Sequence, residues 1–168
     1  MQNPEEFVIS QTFDAPRDLM WKAWTDPKLF TRWFGPKGFT AKTHVLELRP
    51  GGALHTCLKS PDGHEMWAKF VYRDIVPRSR LSWEHFFSNK EGGITRHPMH
   101  AHWPLKLLTT VVFEEQGGKT KVTLTWAPLE ATDIERKAFA DATESMNQGW
   151  GGTFEQLETF LSREKAAS

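Results

Sequence analysis

Hydrophobic positions near the C-terminal end of the chain recur at spacings of three and four residues. At roughly 100° per residue they fall within a stripe about 120° wide. The residues in this stripe are Phe139, Ala142, Met146, Trp150, Phe154, Leu157 and Leu161. Thr132 is followed three residues later by Glu135, the spacing of a capping box that begins a helix. The pattern predicts a long amphipathic helix over 132–161 with one buried face.

Three glycines interrupt the predicted helix around Trp150, at Gly149, Gly151 and Gly152. Each glycine in a helix interior costs about 1 kcal/mol relative to alanine. Two explanations remain open: another part of the protein approaches the helix backbone closely, or the helix bends there. On the first explanation, Gly149→Ala combined with Gly152→Ala would disturb packing.

Most of the chain before this helix alternates between apolar and polar positions with a period of two, which is typical of strands. Alternating stretches occupy 7–13, 44–49, 54–58, 66–73, 81–87, 105–113 and 122–126. Two short helices are predicted after the first strand, since Pro16 and the pair Asp26–Pro27 fit helix starts. Short turns rich in glycine and proline join the later strands, and connections of this length require antiparallel pairing. The predicted fold is α+β, with a curved antiparallel sheet wrapped around the long helix.

Composition and charge restrict the classes of function. A chain of 168 residues is long enough for a core of its own, so we predict one domain over 1–168. The net charge of zero argues against a nucleic-acid partner. We see neither an apolar run of about 18 residues nor a signal-peptide pattern, and we expect no membrane partner. A single cysteine, Cys57, excludes an internal disulfide and suits the cytoplasm.

Aromatic residues are unusually frequent, with eight tryptophans and twelve phenylalanines. Such rings either fill an ordinary core or line an apolar cavity. The candidate cavity-wall residues are Trp33, Trp67, Phe70, Trp83, His85, Phe87, Met99, Trp103, Met146 and Trp150. Trp67 and Phe70 are an odd number of positions apart on one strand, so they cannot both face inward. The irregular segment 88–104 is the candidate gate of the cavity, because long loops are often functional.

Several polar residues are candidates for chemistry, each with a simpler alternative. His85 shares a strand face with Trp83 and Phe87, so it either contacts a ligand or is a satisfied core histidine. His97, His100 and His102 are weak metal-ligand candidates; otherwise they act independently in a solvated loop.

His55 and Cys57 lie on one face of a strand and have the residue types of a nucleophile–base pair. Nothing in the sequence supplies a third group to orient such a pair, and a cysteine within a strand usually serves packing. We therefore predict no catalytic residues and no cofactor.

Five segments of the chain carry a family resemblance: FDAPRDLMWKAWTDPKLFTRWFGPKGF, LRPGGALH, RDIVPRSRLSWEH, VVFEEQGGKTKVTLTW and GWGGTFEQLETFL. Together they resemble the activator-of-heat-shock-protein-90-ATPase homologue family, within the START-like helix-grip superfamily, also called the polyketide cyclase/Bet v 1-like group. The resemblance implies a cavity between the long helix and the concave face of the sheet. It carries over no catalytic motif, and the matching Trp33, Gly51, Gly52 and Trp150 are architectural on this reading.

The leading functional hypothesis is a binding protein for a hydrophobic small molecule. The first alternative is a stress-response protein associated with a chaperone. The eukaryotic co-chaperone of the family has an additional N-terminal domain that contacts the chaperone, and we expect no such domain here. The second alternative is an enzyme of the cyclase or hydrolase type on the same fold. The edges of an antiparallel sheet would also permit a homodimer.

Overall fold

The structure is a computed structural model that describes residues 6–35, 38–97 and 100–167. Its strands are β1 (Phe7–Phe13), β2 (Thr40–Leu46), β3 (Ala53–Lys59), β4 (Glu65–Val76), β5 (Arg80–Ser88), β6 (Ile94–Thr95), β7 (Lys106–Gln116) and β8 (Lys119–Leu129). Its helices are α1 (Arg17–Thr25), α2 (Pro27–Phe30), α3 (Asp133–Asp141) and α4 (Thr143–Ala167). Within these described residues, no helix is both long enough and apolar enough to cross a membrane.

The strands form one antiparallel sheet in the order β1-β8-β7-β5-β4-β3-β2, with β6 paired to β5. The long C-terminal helix α4 packs on its concave face, where the ring of Phe154 lies 5.4 Å from that of Phe13. The ring of Trp150 lies 5.5 Å from that of Trp126 on β8. This architecture confirms the predicted α+β helix-grip class.

The second strand begins earlier than its alternation indicated. β2 runs over Thr40–Leu46 rather than 44–49. A register shift between Thr43 and Val45 in its pairing with β3 breaks the period of two, so the alternation of side chains changes at this irregularity.

The predicted single helix is two helices. The capping box is confirmed: the Thr132 hydroxyl accepts from the Glu135 amide at 3.2 Å, and the Glu135 carboxylate accepts from the Thr132 amide at 2.9 Å. The interruption lies at Ala142, whose φ of −96° and ψ of 12° depart from helical values. α4 then continues through the three glycines. A Cβ at Gly149 or Gly151 would meet nothing within 4 Å, so close approach of another segment does not explain these two glycines.

The segment 88–104 is less irregular than predicted, because it contains the short strand β6. Arg96 anchors its second half by pairing with the Glu135 carboxylate and donating to the Trp103 carbonyl oxygen at 3.3 Å. The segment is therefore tied to the start of α3. Met99, a predicted cavity residue, lies outside the described residues.

The negative charge of Glu135 should stabilise this connection between the segment 88–104 and α3. Hydrogen bonds from the Thr132 amide and then from Arg96 lower the pKa of Glu135. A lowered pKa means that the carboxylate stabilises the fold above its unfolded pKa, and that this contribution is lost as the pH falls. We expect Glu135→Gln to lower the free energy of unfolding by about 0.5–1 kcal/mol at neutral pH, because the amide still caps the helix but cannot pair with Arg96.

Urea unfolding at pH 7 and pH 3 checks this expectation, with Glu114→Gln at an exposed strand position as the control. The difference between Glu135→Gln and the native chain should shrink at the lower pH. An equal difference at both values would show that the charge of Glu135 plays no part.

Candidate functional site

A cavity of about 400 Å³ lies between α4, the concave face of the sheet and the segment 88–104. Of the predicted wall residues, five line it: His85, Phe87, Trp103, Met146 and Trp150. The loop histidines His97 and His100 also border it. These residues come from the sheet, the long helix and the segment 88–104.

Strand pairing explains which side chains reach the cavity. Phe87 pairs with Ala68, and His85 pairs with Phe70, so these residues share the concave face of β4 and β5. Phe70 is 1% exposed and stacks on Trp83, with 4.6 Å between ring centroids and 15° between planes. The pair fills the core beside the cavity and does not line it.

His85 is the polar group on the sheet side of the cavity. Its Nδ1 accepts a hydrogen bond from the Trp83 indole nitrogen at 3.5 Å, and its ring lies 4.7 Å from Phe70 and 5.2 Å from Trp126. Burial lowers the pKa of His85 to about 3, so the imidazole is neutral at physiological pH. Because Nδ1 accepts, we assign the proton to Nε2. Among the described residues, no group forms a hydrogen bond with Nε2.

Trp103 lines the cavity with its ring, while its indole nitrogen is sealed within the packing. The residue is 7% exposed, and its ring packs against Phe139 and His97 at 5.6 Å and 5.9 Å. Its enclosed Nε1 has no hydrogen-bond partner among the described residues; Trp24 in the core has the other such nitrogen. An enclosed donor without a partner costs about 1–3 kcal/mol. The described part of the cavity wall contains no Lys, Arg, Asp or Glu.

Two predicted wall residues lie elsewhere in the fold. Trp33 is 1% exposed and belongs to the aromatic core around Trp24. Trp67 is on the outer face of the sheet, where it stacks on His55 at 4.8 Å. It borders a separate surface pocket together with Cys57. Its assignment to the cavity is wrong because it has the opposite strand parity from Phe70.

Several residues that line the cavity were not predicted from the sequence, including Phe34, Leu58, Met66, Trp126, Gly149 and Thr153. Trp126 could have been found, because it shares a strand face with the buried Val122 and Leu124. Gly149 was noticeable in the sequence as a glycine inside a predicted helix, but it marks open space and not close packing. A residue without a side chain leaves the wall of the cavity open at that point.

The loop histidines pack on aromatic rings. His97 lies 4.5 Å from Phe87 and 6.3 Å from His100 between ring centroids. Burial and the neighbouring His100 lower the pKa of His97. His102 donates its backbone amide to His100 Nδ1 at 3.3 Å. In the part of the chain that the structure describes, no three His, Cys, Asp or Glu side chains are grouped to hold a metal.

The arrangement around Cys57 does not favour a nucleophile. Burial and the nearby Glu65 raise the pKa of the Cys57 thiol, whereas a reactive cysteine needs a lowered pKa. The Nε2 atom of His55 lies 3.0 Å from the Asn89 carbonyl oxygen and 3.3 Å from the Ser88 hydroxyl. These contacts hold the histidine against the last residue of β5 and the residue after it.

Gly149 yields a stability prediction of its own. We expect Gly149→Ala to raise the free energy of unfolding by up to about 1 kcal/mol, because alanine has the higher helix propensity and its Cβ meets nothing within 4 Å. Thermal and urea unfolding measure this change, with Gly151→Ala as a parallel variant outside the cavity. A destabilised Gly149→Ala would restore the close-packing explanation.

The fold of this chain is similar to that of several solved structures. A solution structure from Arthrobacter aurescens has 24% identity and a TM-score of 0.81, over 97% of this chain and 90% of that one. A crystal structure from Nitrosomonas europaea has 24% identity and a TM-score of 0.77, over 99% of each chain. A crystal structure from Mycobacterium smegmatis has 19% identity and a TM-score of 0.77, over 94% of this chain and 91% of that one. At these identities they show the fold alone. No curated protein has a sequence that matches this chain.

The sequence also matches a protein family directly. The family described as Activator of Hsp90 ATPase homolog 1-like protein matches residues 14–162. The match extends from the end of β1 to the last turns of α4 and includes all the described residues that line the cavity. The chain therefore belongs to the Activator of Hsp90 ATPase homolog 1-like family.

Proposed function

We propose that this protein binds an apolar small molecule in the cavity between α4 and the concave face of the sheet. The observation that carries the proposal is the 400 Å³ cavity, walled by aromatic and aliphatic side chains from three separate parts of the chain. Small-molecule sites are typically clefts of about 300–1,000 Å³ with mostly apolar walls and few polar groups. The cavity has these properties.

Burial supplies the binding energy in this proposal. A ligand that buries about 200 Å² of apolar surface gains about 5 kcal/mol at 25 cal/mol per Å². Aromatic contacts with Trp103 and Trp150 add to this gain, while the loss of ligand motion subtracts from it. A net gain of about 5 kcal/mol corresponds to a dissociation constant of about 0.2 mM for a compact aromatic compound.

The segment 88–104 forms one side of the cavity and is the proposed gate. It contributes His97, His100 and Trp103 to the wall, and Arg96 fixes it to Glu135 at the start of α3. Opening would require this ion pair to separate while the sheet and α4 remain in place.

Native mass spectrometry of the purified chain, followed by titration calorimetry with naphthalene, tests the proposal. A co-purified small molecule, or saturable binding of naphthalene at a single site with a dissociation constant below about 1 mM, supports it. A chain that carries no additional mass and gives no saturable heat with naphthalene would contradict it.

A second candidate function rests on the family match alone. The family is described by its likeness to an activator of a chaperone ATPase, and this chain could act on such a chaperone. A chaperone ATPase assay with the purified chain separates the two functions. Stimulation that persists when the cavity is blocked would favour the chaperone role; no stimulation and no complex would exclude it.

A further inference from the structure

The cavity has one fixed polar group on its sheet side. His85 follows Trp83 on the concave face of β5, and the Trp83 indole donates to Nδ1 of His85 at 3.5 Å. An imidazole that accepts at one nitrogen carries its proton on the other. The ring therefore offers an N–H donor at Nε2, on a residue that lines the cavity.

The other polar groups of the wall do not offer an equivalent fixed group. The Thr153 hydroxyl already donates to the Gly149 carbonyl oxygen at 2.9 Å. Ser145 is exposed and lies at the edge of the cavity. The Trp103 indole nitrogen has no partner among the described residues, but it is sealed within the packing and not open to the cavity. His97 and His100 lie on the loop side of the wall, and His100 is exposed. On the sheet side of the wall, the fixed polarity therefore comes from the neutral donor of His85.

This polarity discriminates among ligands of the same shape. A hydrocarbon would leave the Nε2 donor of His85 unpaired, which costs free energy in an enclosed site. A carboxylate would have to be buried with neither Lys nor Arg in the described wall. Of the wall histidines, His85 and His97 have a pKa lowered by burial, and His100 is exposed to solvent. Burial of an unpaired charge costs several kcal/mol. A neutral carbonyl oxygen accepts the hydrogen bond and carries no charge.

We propose that the ligand of this cavity is a neutral carbonyl compound with an apolar body, such as an aromatic ketone or ester, whose oxygen accepts a hydrogen bond from His85 Nε2. This inference rests on the proposed function, since it assumes that the cavity binds an apolar molecule. It adds the chemical class of the ligand and the residue that selects that class.

Three naphthalenes substituted at the same ring position test the proposal by calorimetry. Acetylnaphthalene carries the carbonyl, isopropenylnaphthalene replaces its oxygen with a methylene group, and naphthoate replaces the acetyl group with a carboxylate. A hydrogen bond in an enclosed site should make the ketone bind about tenfold tighter than the hydrocarbon. We expect naphthoate to bind more weakly than either.

Substitution of His85 identifies the donor. His85→Phe keeps an aromatic ring and removes the N–H, so the ketone and the hydrocarbon should then bind equally. His64→Phe makes the same substitution at an exposed position outside the cavity and should keep the tenfold ratio. The infrared C=O stretching band of bound acetylnaphthalene should lie at lower frequency in the native chain than in His85→Phe.

Each outcome bears on the proposal in a definite way. Equal binding of ketone and hydrocarbon by the native chain, tighter binding of naphthoate, or a preference that survives His85→Phe would overturn the carbonyl class and leave the proposed function intact. An unshifted infrared band on the native chain overturns it without any variant. Failure of all three compounds to bind would overturn the proposed function as well.

Discussion

Replacing Trp33 with alanine is expected to lower the free energy of unfolding by about 3–5 kcal/mol. Trp33 is 1% exposed, and its ring lies 4.7 Å from Trp24 and 5.4 Å from Phe30. Its Nε1 donates to the Ala23 carbonyl oxygen at 2.9 Å. The residue four positions after Ala23 is Pro27, which has no N–H to bond that carbonyl. Truncation therefore leaves both a void and an unpaired buried oxygen, and urea unfolding measures the loss.

Two further variants separate the contributions to this loss. Trp33→Phe keeps much of the packing and removes the hydrogen bond, so it should cost about 1 kcal/mol plus a smaller packing term. Trp67→Ala removes a tryptophan from the outer face of the sheet, where the side chain is only half-buried, and should cost less than Trp33→Ala. Equal losses in Trp33→Ala and Trp67→Ala would contradict the placement of Trp33 in the core.

Filling the cavity from the helix side should abolish most ligand binding. Gly149 lines the cavity, and a Cβ at this position meets nothing within 4 Å. In Gly149→Leu the new side chain occupies part of the proposed site. If it displaces about 100 Å² of ligand contact, the loss is about 2.5 kcal/mol, or about 70-fold in affinity for naphthalene. Calorimetric titration measures this change.

Gly151→Leu is the matched control on the same helix. Gly151 does not line the cavity, and a Cβ there also meets nothing within 4 Å. Both variants gain helix propensity equally, so they differ mainly in where the side chain points. Naphthalene should bind Gly151→Leu as it binds the native chain. Equal weakening in both variants would place the ligand somewhere other than the cavity.

Local patterns predict much of this fold. The stripe along 132–161 identifies the buried face of the last two helices, and the Thr132–Glu135 spacing identifies where α3 begins. These predictions succeed because helical and strand periodicity and capping are set by residues a few positions apart. The break at Ala142 has no such local signal, since alanine favours helices. Phe139, three residues before the break, packs on Trp103. Trp103 belongs to a segment distant in sequence, so local patterns do not indicate this contact.

The site was harder to predict than the fold for a related reason. Alternation on β5 places Trp83, His85 and Phe87 on one face, but only His85 and Phe87 border the cavity. Trp83 is covered by Phe70 from the neighbouring strand. Periodicity shows which way a side chain faces; whether it borders an open space depends on neighbours from other elements. The error at Trp67 had a different cause. Trp67 and Phe70 have opposite strand parity on β4, so the alternation alone already excluded one of the two from the inner face.

Contacts between naphthalene and the methionine methyl groups of the isotope-labelled chain test the proposed site most directly. Met66 on β4 and Met146 on α4 line the cavity from opposite sides, while Met20 on α1 is fully buried in the core and does not line it. Nuclear Overhauser contacts from naphthalene to the methyl groups of Met66 and Met146, with none to Met20, are the predicted result. Saturating naphthalene that contacts neither Met66 nor Met146 would contradict a binding site between the sheet and the C-terminal helix.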